Sequence, residues 1–181
     1  MSKQLPLKGL DSQDGRRELH QCVPSYCMRL FKLIVTFFFI GSVKLAPGTV
    51  ASFAAVLIFY VFAKYLNVFS FILIISAITL LSFIAISSYT ADVFEKDKSE
   101  IVVDEVIGQS IALLPLLIFT ESISPKFFMC IISLLFFRFF DIVKPYPINI
   151  VDKMNNTFGV IFDDILAGIF AAILLTFVLI F

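Results

Sequence analysis

Val68-Phe-Ser-Phe-Ile-Leu-Ile-Ile-Ser-Ala-Ile-Thr-Leu-Leu-Ser-Phe-Ile-Ala-Ile-Ser-Ser-Tyr-Thr90 contains no charged residue from end to end. A helix rising 1.5 Å per residue needs roughly 20 apolar residues to cross a ~30 Å hydrocarbon layer, and this stretch meets that length alone. In lipid, backbone amides find no water, so a single apolar segment crosses as an α-helix. The same reading, carried outward, marks spans at residues 50–66, 106–120, 127–140 and 165–181. Residues 33–43 are apolar too but are too short to cross alone, and read as a half-span or an interfacial helix. The expected fold is all-α: a polytopic helical membrane protein with about four to five membrane helices and a short N-terminal half-span or interfacial helix.

Composition agrees. Of the 181 residues, 60% are hydrophobic and only 15% are charged, and the mean hydropathy is +1.00. Ordinary soluble domains are not that apolar. There are 23 Phe and no Trp, so aromatic anchoring at the interface falls to Phe and Tyr. A net charge of zero gives no basis for nucleic-acid binding. Residues 1–28 are polar and aperiodic, a disordered N-terminal extension, and residues 29–181 form the integral membrane domain. Cys22, Cys27 and Cys130 lack the spacing of a disulfide framework or a zinc knuckle, and read as free thiols.

Counting crossings after Thr49 puts loops 44–49, 91–105 and 141–164 on one face, with residue 67 and loop 121–126 on the other. Lys44, Lys96, Lys98, Lys144 and Lys153 belong to the first face, against Lys126 and Lys64 on the second. Positive charge favours the cytoplasm, which makes the first face cytoplasmic. Every charged motif then lies on one side, as a single site requires.

Those motifs are mostly acidic. Asp104-Glu105 and Asp163-Asp164 each stand at the expected start of a helix, and Asp141 follows Arg138 by three residues. An acid at a helix start can simply complement the macrodipole, but that needs one acid and each site has two. Gly108 follows Asp104 by four residues and Gly168 follows Asp164 by four, leaving bare helix surface where a helix or ligand can approach. Carboxylates without His or Cys suit a hard cation such as magnesium; structural capping and salt bridging are the alternative. Arg138, Asp141 and Lys144 recur every three residues until Pro145 and Pro147 end the helix. Lys144 can compensate the helix dipole or hold a phosphate, and Arg138 can pair with Asp141 or offer its donor fork to a phosphate. Lys44 and the Pro47-Gly48-Thr49 turn form a possible anion pocket or merely a loop.

The usual protein nucleophiles of a phosphatase are missing. His20 is the only histidine and lies in the extension, no Cys-x5-Arg loop occurs, and there is no Asp-x-Asp pair. A metal-activated water is the simplest remaining chemistry.

Pro47-Gly48-Thr49, Asp104-Glu105-x-x-Gly108, Phe137-Arg138-x-x-Asp141-x-x-Lys144-Pro145-x-Pro147 and Asp163-Asp164-x-x-Ala167-Gly168, in that order, resemble the phosphatidylglycerophosphatase A family. The resemblance runs from about residue 40 to the end. It departs in the Lys44-Leu-Ala lead-in, in Val103 where an aromatic residue is common, and in the long extension. It implies a bacterial inner-membrane enzyme that uses magnesium to hydrolyse the terminal phosphomonoester of phosphatidylglycerophosphate, giving phosphatidylglycerol. Taken with the residues, it assigns magnesium to Asp104, Glu105, Asp163 and Asp164, metal or proton duty to Asp141, and phosphate contact to Lys44, Gly48, Thr49, Arg138 and Lys144. The substrate is then a phospholipid drawn from the membrane. Two competing readings are a small cation channel or transporter using the same acids, and a headgroup phosphotransferase. The second lacks its expected Asp-Gly-x-x-Ala-Arg pattern.

Overall fold

The computed structural model describes residues 25–43, 46–92, 100–119, 127–154 and 156–181. Among these residues there are helices and turns but no strand. The helices are α1 (Ser25–Val35), α2 (Pro47–Phe62), α3 (Val68–Asp92), α4 (Val103–Phe119), α5 (Phe127–Val143), the short α6 (Ile148–Asp152) and α7 (Thr157–Ile180). Single 3₁₀ turns occur at Ile40–Ser42 and Ala63–Tyr65. Among the described residues three helical segments, Pro47–Tyr65, Val68–Ser88 and Thr157–Ile180, are long and apolar enough to cross a membrane.

The bundle is apolar on its outside. Phe69, Leu80, Phe128, Leu135 and Ile173 all project outward, with Phe69 72% exposed. Such a surface is stable against lipid and not against water. Inside, Val56, Phe59, Ile107, Leu113, Leu116, Leu134 and Leu175 form the central core. A second cluster joins α1, α3, α4 and α7 through Val35, Ile86, Val103 and Ile161.

Helices α4 and α7 make the most extensive pairing, and small residues are the reason. Without a hydrophobic force between helices in lipid, close backbone approach supplies the packing energy. A β-carbon on Gly168 would overlap the Gly108 carbonyl, and one on Gly108 would overlap the Asp164 carbonyl and the Phe137 ring. Ala112, Ala167 and Ala171 continue the contact. The bare patches expected beside Asp104 and Asp164 are therefore filled by the opposite helix.

Two expectations change. Residues 33–43 are not one helix: α1 ends at Val35, and Phe37, Phe38 and Phe39 all have positive φ. The chain reverses there because Thr36 and its carbonyl cap the turn, accepting from the Phe39 and Gly41 N–H groups, and Gly41 packs on the Glu100 backbone. The last span begins eight residues earlier than residue 165, at Thr157. Asn156 Oδ1 accepts from the Gly159 N–H at 2.7 Å and caps it. Asp163 and Asp164 thus lie about two turns inside α7, too deep to serve as dipole caps.

Residues 1–24 of the extension lie outside the described residues, and α1 begins at Ser25. Lys44, Lys96, Lys98 and Lys126, which contributed to the orientation count, also lie outside them. Cys130 is a free, fully buried thiol.

Candidate active site

The starts of α2, α4 and α7 and the end of α5 meet at one end of the bundle. Asp104 and Glu105 come from the first turn of α4, Asp141 from the last turn of α5, and Asp163 and Asp164 from α7. Together with Lys144, Asp152, Met154, Gly159 and Val160 they line one cavity of about 240 Å³. The five acids named from sequence converge, although Asp104 and Asp141 are far apart along the chain.

Local backbone bonds set the two pairs alike. Asp104 Oδ1 accepts from the Glu105 N–H at 3.0 Å, and Asp163 Oδ1 accepts from the Asp164 N–H at the same distance. Asp104, Asp163 and Asp164 are buried. Their cost is met partly by two cations. Arg138 Nη1 lies 2.7 Å from Asp141 Oδ2 and 3.2 Å from Glu105 Oε1, linking α5 to α4. Lys144 Nζ lies 2.6 Å from Asp163 Oδ2 and also donates to Asp152 Oδ1. Burial works against the Lys144 ammonium, but hydrogen bonds to Asp152 and Asp163 and their charges outweigh it and raise its pKa above the usual lysine range.

Lys144 sits on an unusual backbone. Its φ is +45°, a left-handed conformation that costs a residue with a side chain roughly 1–2 kcal/mol. The Lys144 N–H still bonds the Phe140 carbonyl at 2.9 Å, so the residue ends α5 in the place glycine usually takes. Pro145 and Pro147 then turn the chain into α6.

The remaining expected phosphate contacts fare differently. A β-carbon on Gly48 would overlap the Glu105 carboxylate, so the turn at Pro47 closes directly over that acid. Thr49 is exposed and does not line the cavity. Lys44 lies outside the described residues. Asp152 and Gly159 had no sequence signal. In the sequence Asp152 is a lone acid between the apolar runs; in the structure it is the last residue of α6. Gly159 is bare because a β-carbon there would overlap the Val151 and Met154 carbonyls, which lets α7 start against α6.

The cavity holds six carboxylates, Asp104, Glu105, Asp141, Asp152, Asp163 and Asp164, against Lys144, with Arg138 beside it. Among the described residues no group of three or more acids is arranged so that it could hold a metal ion. The donors nevertheless fit a hard divalent cation: all are oxygen, negative charge is in excess, and Glu105 Oε2 is buried without a hydrogen-bond partner. The four acids expected to hold it, Asp104, Glu105, Asp163 and Asp164, all line the cavity.

Comparison with known proteins identifies the family. The family model described as phosphatidylglycerophosphatase A matches residues 33–179. A phosphatidylglycerophosphatase A of Haemophilus influenzae is 36% identical over 134 residues, covering 74% of this chain and 78% of the relative. A putative phosphatidylinositol-3-phosphatase of Bacteroides thetaiotaomicron is 31% identical over 147 residues, covering 79% and 89%. No solved structure matches the chain.

Proposed function

Because the chain belongs to the phosphatidylglycerophosphatase A family, we propose that it is a magnesium-dependent lipid phosphatase that converts phosphatidylglycerophosphate to phosphatidylglycerol and inorganic phosphate. Membership makes it a phosphoric monoester hydrolase acting on lipids. We place it in a bacterial inner membrane with its site at the cytoplasmic face. One observation carries the reading: the acids of three separate family motifs line a single cavity at one end of an otherwise apolar bundle.

Asp104, Glu105, Asp163 and Asp164 would hold magnesium, which when bound would supply a more acidic water and positive charge opposite the phosphoryl oxygens. Asp141 accepts the proton of the attacking water: it lies between Arg138 and the buried Asp164 on the cavity wall. Arg138 and Lys144 neutralise the headgroup phosphates while sharing their donors with Glu105, Asp141 and Asp163. An apolar groove of about 560 Å³ lies on the flank of α7, lined by Ile75, Phe83, Phe158, Phe162 and Ile165 among others. An acyl chain resting there keeps the lipid in the bilayer while its headgroup reacts.

The ion-path reading needs polar groups through the depth of the membrane. Beyond the acids the core is centred on Leu113, Leu116, Leu134 and Leu175, and the buried polar side chains in the membrane helices described are Gln109 bonded to Ser133, Ser52 and Ser82, too few for a continuous polar path. That favours a surface reaction over conduction.

The test is phosphate release by the purified chain from phosphatidylglycerophosphate in detergent micelles, with magnesium and then with a chelator. Phosphatidylinositol 3-phosphate serves as the comparison substrate. Release that requires the metal and prefers the first lipid is the expected outcome. A folded sample that releases nothing under either condition refutes the proposal.

A further inference from the structure

Lys144 does not reach the acids alone. Its Nζ stands between two carboxylates, Asp163 Oδ2 on the inner side and Asp152 Oδ1 on the outer. The two differ sharply in surroundings: the Asp163 side chain is 8% exposed and that of Asp152 46%. An ammonium on a four-carbon stem is mobile unless more than one partner fixes it. The position of Asp152 is itself fixed. It closes α6, whose first residue, Ile148, is fully buried against the cluster containing Phe137, Ala167 and Ala171. The Ile148 N–H also bonds the Pro145 carbonyl at 2.7 Å. The left-handed backbone at Lys144, directly before Pro145, is a strained conformation retained where the side chain is needed in one place.

We propose that Asp152 is a positioning residue for Lys144, holding its ammonium with Asp163 at the mouth of the acid cavity, where the phosphate of the lipid enters. The proposal rests on the phosphatase reading above. Asp152 touches no reacting atom. It sets where the positive charge waits, so its loss weakens substrate capture more than turnover.

The experiment compares wild type, Asp152→Asn, Asp152→Glu, Lys144→Gln and the double variant Asp152→Asn/Lys144→Gln in detergent micelles with magnesium. Asp152→Asn is expected to raise KM about tenfold with kcat within twofold, and Asp152→Glu to restore most of the difference. In the Lys144→Gln background, Asp152→Asn should add nothing further. An unchanged KM in Asp152→Asn, or a full additional effect in the Lys144→Gln background, overturns the proposal.

A second measurement does not depend on turnover. Acylation of Lys144 by a water-soluble amine reagent, followed by peptide mass, should run several-fold faster in Asp152→Asn than in wild type. Equal rates reject the clamp even if the enzyme reading holds. Faster acylation in a chain that hydrolyses no phosphatidylglycerophosphate would sustain the clamp and remove its assigned purpose.

Discussion

Gly168 of α7 lies so close to Gly108 of α4 that a β-carbon on Gly168 would overlap the Gly108 carbonyl. This contact, one turn below the acids, sets the distance between Asp104 and Asp164. Both carboxylates reach the same cavity because the helices beneath them touch at the backbone.

Gly168→Ala should therefore destabilise and disarm the protein together. The obstacle is backbone rather than a movable side chain, and overpacking of this kind costs about 1–3 kcal/mol. Thermal unfolding in detergent should fall, and phosphate release should fall more than the loss of folded protein explains. Ala167→Gly, on the same helix, is the comparison. Its effect should be confined to stability.

Arg138→Gln should leave Glu105 and Asp141 facing each other without their shared cation. All three side chains are mostly buried, so water screens them poorly, and hydrogen bonds to charged groups are worth about 1.5–3 kcal/mol. A loss near 2 kcal/mol in chemical unfolding is expected. Adding Asp141→Asn should recover part of it, because one of the stranded charges is gone. A double variant as unstable as the sum of the two single ones would show that Arg138 does not act through this pair.

Much of this was legible from residue types alone. The apolar runs located α2 to α5 because a run of apolar residues in lipid folds as a helix, and their observed ends lie within a few residues of the expected ones. The start of α7 was missed for the same reason. In sequence Asp163-Asp164 marks a membrane boundary, whereas a folded bundle can bury such acids beside Lys144. The reversal at Phe37-Phe38-Phe39 had no turn residue to announce it. Of the site, the five acids carried a signal because they are expensive near lipid. Asp152 did not, since a lone acid outside the apolar runs costs nothing until the fold brings it to Lys144.

Asn156→Ala separates helix capping from chemistry. Its side chain satisfies the Gly159 N–H at the start of α7, and losing such a cap costs about 1 kcal/mol. The midpoint of thermal unfolding should drop while kcat per folded molecule stays within twofold. A large kcat loss at unchanged stability would mean that the cap also sets the depth of Asp163.

Lys144→Gln gives a pH signature. The folded pKa of Lys144 is raised above its unfolded value, although burial opposes the charge, because Asp152 and Asp163 hold the ammonium. A raised folded pKa means a stabilisation fully present below the unfolded value, about 10.4, and lost only as pH rises through the folded one. The stability gap between wild type and Lys144→Gln should thus be constant from pH 6 to 9 and narrow only at strongly alkaline pH. A gap that closes near neutrality would assign it to another group.

Asp164→Asn makes opposite demands on stability and activity, and so tests the metal assignment most directly. Asp164 is buried and shares its cavity with Asp104, Glu105, Asp141 and Asp163. Without a divalent cation these charges repel, so replacing one by an amide should raise the unfolding temperature of the metal-free protein. A ligand that binds only the folded state stabilises it by RT ln(1 + [L]/Kd), about 2.7 kcal/mol at a hundredfold excess over Kd. Magnesium should accordingly raise the unfolding temperature of wild type and barely move that of Asp164→Asn, which should also lose at least a hundredfold in phosphate release. Sodium at matched ionic strength controls for screening, which would stabilise both proteins alike. If magnesium shifts wild type and Asp164→Asn equally, Asp164 is not a ligand. Its burial beside Gly108 would then be a matter of packing alone.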